Sequence, residues 1–214
     1  MNNADLLTLT QWLSPSYPVG AFSYSHGLET AISDGRITTS DHLKHWLTSV
    51  IERGSGWSDL VFVSAAYRAN TADDLAAISE LAEALCPSLE RLNETRQQGA
   101  AFTRATNSIW SLNVTPAPYP VAVGTAARVR NIDLETTAYL YIHSFASNLV
   151  SAATRLIPLG QTDGQACLQD LACVCTRTAP KALDATIEDI GTCAFASDIA
   201  SMRHETQTTR IFQS

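Results

Sequence analysis

The chain has 214 residues, 45% of them apolar and 16% charged, with a formal net charge of −7 at pH 7. That is long enough for one sizeable core and too apolar for a disordered chain. The acidic balance, with fourteen dispersed Lys and Arg, excludes nucleic acid as a main partner and offers no polybasic membrane patch. No run approaches the roughly 18 apolar residues of a membrane helix, and the first residues lack the positive charge of a signal peptide. Five cysteines, an odd number, read as reduced thiols in a cytoplasmic protein.

In chain order, Leu6, Leu9 and Leu13 give a short helix over Asp5–Leu13. The block Ser14–Glu29 follows, and the rest of the chain is organised around it. Pro15 and Pro18 fix φ and remove two donors, and Gly20 permits a turn. Phe22, Tyr24, Leu28 and Ala31 then keep roughly helical spacing until Asp34-Gly35. Ser40 is a plausible N-cap for a third helix ending at Gly54-Ser55-Gly56. His42 and His45 lie three apart on it, but no third ligand is in range. Asp59–Arg68 reads as a largely buried fourth helix, and Thr71 with Asp74 as a capping box opening a fifth.

Ser88 to about Trp110 gives a sixth helix, with a prolyl break over Asn113–Pro120. Val121 to about Arg130 follows, and Asp133 caps a long helix to about Leu156. Its seam is Ala138, Ile142, Phe145, Leu149, Ala152 and Leu156. Tyr139, Tyr141 and His143 project off that seam, either as a dimer interface or against another helix. After Pro158 and Gly160, a helix runs to Arg177 or Thr178, Pro180 opens a linker, and a last helix covers Glu188 to about Ala196. The expected fold is therefore an all-α single-domain bundle of about nine to ten helices spanning residues 1–214, with 198–214 as a tail. Composition leaves open whether that tail is tucked on the body or kept for a partner.

Catalytic patterns are scarce. There is no P-loop, no dinucleotide fingerprint, no nucleophile elbow and no HExxH helix. Ser25 and His26 are adjacent and point apart on a helix, and Cys173-x-Cys175 lacks the two-residue spacing of zinc or redox motifs. The residues alone leave one enzymatic alternative, a small metal- or thiol-dependent enzyme using His26, His204, Cys173 and Cys175.

Four stretches carry a resemblance. These are Ser14-Pro15 with Pro18–Glu29, Tyr119–Gly124, Arg155–Gln161, and Asp198–Gln207 with Arg210-Ile211-Phe212. Together they resemble the UreF family of urease accessory proteins across essentially the whole chain. The resemblance implies a non-catalytic, cofactor-free, all-α protein that dimerises and helps insert nickel into apo-urease. It would do so by binding UreD (UreH in some organisms) and recruiting the GTPase UreG. Expected partner-binding positions are Pro18, Gly20, Phe22, Tyr24, His26 and Glu29 in the first block, and Met202, Arg203, His204, Glu205, Arg210 and Phe212 in the tail. Met202–Phe212 is expected to gain fixed structure mainly by docking on UreD.

Overall fold

The computed structural model describes residues 2–214, and over these the chain folds into ten α-helices and two short 3-10 turns, with no strand. The helices are α1 (Asn3–Trp12), α2 (Leu28–Ser33), α3 (Ser40–Arg53), α4 (Ser55–Arg68) and α5 (Ala72–Ala84). They continue as α6 (Leu89–Trp110), α7 (Tyr119–Val129), α8 (Leu134–Leu156), α9 (Gln161–Asp184) and α10 (Phe195–His204).

The centre of the bundle is α4. It buries Gly56, Ser58 to Ser64 and Ala66, apolar or small on nearly every side, as a helix must when surrounded by others. Its widest contact is with α7, whose Val121–Gly124, Ala126 and Ala127 are buried and mostly small. Around this pair stand α3, α8 and α9, closing a core that includes Leu43, Leu47, Leu60, Ile142, Leu149 and Leu171. A chain of aromatic rings crosses it. Trp12 meets Phe102 edge-on at 5.5 Å, Phe102 meets Tyr119 at 5.8 Å, and Tyr119 meets Tyr141 at 5.7 Å.

Several boundaries follow their caps. Thr71 and Asp74 form the expected box, Ser88 accepts from Arg91 N, and Asp133 accepts from Thr136 N. Others differ for physical reasons. The N-cap of α3 is Thr39, which accepts from His42 N, with Ser40 as the first helical residue. Gly54 ends α3 and immediately starts α4, so α4 begins four residues before Asp59. Helix α9 runs through Pro180 to Asp184, because Ala179 and Ala182 are fully buried there and hold the next turn against the core.

The largest differences fall at the two ends of the organising block and of the chain. After Gly20 there is only a 3-10 turn, Ala21–Ser23, then extended backbone. Helix α2 starts at Leu28, because Gly27 sits at φ 74°. A Cβ at Gly27 would strike the backbone of Ser201, so this glycine is also where α2 and α10 touch. The final helix lies not at Glu188–Ala196 but at Phe195–His204, preceded by the capped 3-10 turn Ile187–Asp189. Its sidedness is inverted. Ser197, Ala200, Ser201 and His204 face the body, while Phe195 (66% exposed), Ile199 (50%) and Met202 (51%) face outward.

Candidate functional site: a buried polar seam under the C-terminal segment

Helices α2, α6 and α10 and residues 205–214 meet along a seam built from charged side chains. Glu29, in the first turn of α2, is 5% exposed. One of its oxygens accepts the backbone N–H of Ile211 at 2.7 Å and the other that of Phe212 at 2.9 Å. Its second oxygen also faces His204 Nε2 at 3.2 Å. The other ring nitrogen, His204 Nδ1, lies 2.6 Å from Glu90 on α6, and Arg210 reaches the remaining Glu90 oxygen at 2.5 Å. His204 is fully buried, so both its nitrogens are satisfied by carboxylates rather than by water.

The seam continues inward. Arg91, 6% exposed, contacts the carboxylate of Glu94 at 2.6 Å, with Asp59 of α4 at 4.0 Å on its other side. Gln98 donates to Glu94 at 2.9 Å and His26 Nε2 stands 2.9 Å from it. Tyr141 donates its hydroxyl to Asp59 at 2.9 Å.

Burial pushes the Glu94 carboxyl up, but Arg91 and His26 outweigh it and hold it down at about 2. Asp59 goes the other way: burial raises it, and the more distant Arg91 and the Tyr141 hydroxyl only partly offset this. Burial lowers Arg91, yet Glu94 and Asp59 bring it above its usual value, so it is a permanent cation. Burial beside Asp59 likewise raises Tyr119 and Tyr141, which stay neutral. These groups line a cavity of about 40 Å³ with Tyr24, Thr95 and Asn148, large enough to hold water. His26 Nδ1 and Arg91 Nε are buried there without a partner in the chain.

The C-terminal segment closes the seam from outside. Gln213 N donates to Ser23 O at 2.8 Å and Ser25 N to Ser214 O at 2.7 Å, so the last residues run along the 23–25 backbone. The Ser25 hydroxyl also donates to Ser214 O, and the Ser214 hydroxyl reaches Glu94 at 3.1 Å. Phe212 is 3% exposed, with the Arg155 guanidinium 4.3 Å over its ring.

The expected partner-binding positions therefore divide. Pro18, Phe22, Met202, Arg203, Glu205 and Arg210 are exposed. Gly20 and His26 are half-buried, while Tyr24, Glu29, His204 and Phe212 are buried inside the chain. The expectation that Met202–Phe212 gains fixed structure mainly by docking on UreD is corrected in one respect: the segment already has a seat on the chain itself. Two apolar anchors alone would not offset its ordering, but a carboxylate that caps two of its amides adds charge-assisted hydrogen bonds. On α8, His143 is exposed and Tyr139 half-buried, whereas Tyr141 is turned into the core on Asp59 and is withdrawn as an interface residue. Sequence reasoning missed Glu90, Arg91, Glu94 and Asp59. The first three stand close together on α6 at a spacing visible in the sequence, but mixed charges of that kind also suit a solvated helix face.

The residues of the enzymatic alternative are not brought together. Cys175 is buried facing Ile142 O, and burial pushes its thiol up to about 11. Cys173 is exposed and contacts Asp170 O, while His26 and His204 belong to the seam. Among the described residues no group of three or more His, Cys, Asp or Glu is arranged to hold a metal ion. No helix there is long and apolar enough to cross a membrane.

Fold and seam together define a class: an all-α protein whose buried charged groups pair with one another and whose exposed large apolar side chains include Phe195, Ile199 and Met202 on one face of a terminal helix. Within that class, residues 37–172 match the UreF family model. The chain is 50% identical to the urease accessory protein UreF of Ruegeria sp. over the whole of both chains. It is 46% identical to that of Ruegeria pomeroyi, over 97% of this chain and 96% of the relative. With UreF of Bradyrhizobium diazoefficiens it shares 45% identity, over 99% and 92%. The chain belongs to the UreF family of urease accessory proteins.

Proposed function

We propose that this chain is a non-catalytic scaffold for nickel insertion into apo-urease, acting in the cytoplasm by docking on UreD (UreH) and recruiting the GTPase UreG. Nickel is the cargo of the assembly, not a cofactor held here. The observation that carries the reading is the inverted sidedness of α10. It buries Ser197, Ala200, Ser201 and His204 and presents Phe195, Ile199 and Met202 at spacings of four and three. A single helix face with three half-exposed large apolar side chains is what a groove on a partner recognises. Arg203, already paired with Asp34 at its base, and Glu205 supply a charged rim to that face. Pro18 and Phe22 offer a second exposed contact, and Tyr139 with His143 on α8 remains the candidate face for a homodimer.

The test is the double variant Ile199→Asp, Met202→Asp. It leaves every seam contact in place, so helical content and unfolding midpoint should change little. Capture of UreD by the purified variant should fall at least 100-fold, since each desolvated anchor of this size contributes about 1.5–3 kcal/mol. Undiminished capture of UreD would remove α10 as the docking face. Mass in solution at micromolar concentration tests the dimer separately, with Tyr139→Asp and His143→Asp expected to shift it towards the monomer.

A further inference from the structure

We propose that the cavity beside Arg91 is a built site for ordered water, and that this water completes the junction by bridging the Arg91 Nε–H to the His26 ring. The inference goes beyond the scaffold reading and concerns the chain by itself.

Arg91 and His26 are fixed where they stand. The Arg91 guanidinium is held by Glu94 at 2.6 Å, and its Nη1 lies 3.1 Å from His26 Nε2. His26 has φ 55°, a left-handed backbone uncommon for a residue with a side chain, and Phe145 meets its ring edge-on at 5.0 Å. Nε2 faces a Glu94 oxygen at 2.9 Å. That contact sets the orientation of the ring, because the flipped ring would put a carbon against the carboxylate. Each side chain then has one nitrogen left over: Arg91 Nε and His26 Nδ1 are buried and have no partner in the chain. A guanidinium does not lose its proton, so this Nε–H is a donor in every state of the molecule. A buried donor left unbonded is costly, and neither side chain can turn to relieve it without giving up Glu94.

What relieves it must fit the cavity. Arg91 and His26 both line the same space of about 40 Å³, room for about two or three waters and far below the volume of an ordinary organic ligand. The occupant has to accept from Arg91 Nε–H. With Nε2–H given to Glu94, a neutral His26 ring presents a lone pair at Nδ1, so the occupant has to donate as well. Water does both. A halide only accepts, and a metal ion would face the fixed positive charge of Arg91. Tyr119 and Asn148 also line the cavity, and neither side chain makes a hydrogen bond within the chain. The water therefore has partners for its remaining bonds, as a buried water making about three of them requires.

The experiment uses the full chain. A crystal structure that resolves ordered solvent should place water within hydrogen-bond distance of both nitrogens, shared between them or linked through a second water. In solution, the Arg91 Nε–H resonance should show direct cross-relaxation to a water that stays far longer than bulk solvent. Ala21→Leu supplies the opposing test, because Ala21 lines the cavity and takes no part in the charged pairing. Added methyl groups in a dry cavity would raise stability. Here they displace the water and strand both nitrogens, so the unfolding equilibrium constant should rise about tenfold or more. If Ala21→Leu fails to fold, the two measurements on the parent carry the test by themselves. An ion in place of water, no density at either nitrogen, no cross-relaxation at Nε–H, or a folded Ala21→Leu as stable as the parent would each overturn the proposal.

Discussion

Two regions of this molecule are held by opposite means. Around α4, α7 and α8 the helices are held by shape, with small residues letting backbones approach and Asp59, where the seam reaches in, the one charged residue buried on them. Along α2, α6, α10 and residues 205–214 they are held by a relay of carboxylates, imidazoles and guanidinia, several of them buried. The first region tolerates changes that keep its volume. The second has a stricter requirement, because its charges compensate one another away from water. Removing one leaves a charge stranded, which costs far more than the pair itself contributes.

The sharpest way to break the comparison is at Arg91. Replacing it with Met keeps most of the volume but strands Glu94 and Asp59, and should cost about 3–5 kcal/mol in urea unfolding at pH 7. A loss below about 1 kcal/mol would mean that water in the adjoining cavity already serves these carboxylates.

Acid should act on the same region, with an effect of about 3 kcal/mol. Glu94 is held down at about 2 from 4.5, so its stabilisation is complete above about pH 4.5 and lost as pH falls towards 2. Asp59 is raised, so the folded chain binds its proton more tightly than the unfolded chain does, and acid partly restores what Glu94 loses. Asp59→Asn removes that restoration. Unfolding free energies at pH 5, 4 and 3 should therefore fall more steeply in the variant than in the parent. A shallower fall would have the wrong sign.

In the apolar region the corresponding probe is Gly124. A Cβ there would collide with the backbone carbonyl of Val63 across the α4–α7 contact, and a backbone atom in two packed helices cannot step aside. Gly124→Ala should cost about 1–3 kcal/mol, near the upper end, without any dependence on pH between 4 and 8. PH dependence in that variant would show that the two regions are coupled.

The difference between the regions is also the difference in what could be read from the chain. Helices α3 to α8 were legible because their apolar stripes face inward and their caps are local: Thr71 with Asp74, Ser88, and Asp133 each act within three residues. The seam was not, because most of its pairs join distant positions, such as Glu29 with Phe212 and His204 with Glu90. Helix α10 was misplaced for a related reason. Periodicity places apolar residues inward, and here Phe195, Ile199 and Met202 face out while Ser201 and His204 face in. The family resemblance singled out residues within both Ser14–Glu29 and Asp198–Phe212. It did not show that they touch.

The smallest expected effect sharpens the contrast by lying in neither region. Thr71 caps α5 with its hydroxyl on Asp74 N at 3.0 Å, and the Asp74 carboxylate returns the contact to Thr71 N at 3.0 Å. Both residues are exposed, and α5 packs on α4 and α7 from the outside, so the box satisfies two amides that water could otherwise reach. Thr71→Ala removes one of the two bonds and should cost about 1 kcal/mol, within the usual range of about 0.5–2 for an N-cap. The Asp74 carboxylate is held below its usual value, chiefly by the Thr71 side chain and then by the Thr71 and Asn70 amides. Its favourable contribution is therefore present above the unfolded carboxylate range and lost as pH falls through it. If the cap acts locally, Thr71→Ala should raise the Asp74 titration midpoint and speed amide exchange in the first turn of α5, leaving Ile211 and Phe212 unchanged. A matching change at Ile211 and Phe212 would show that α5 and the C-terminal segment open together, and that the molecule has one cooperative unit where the contacts describe two.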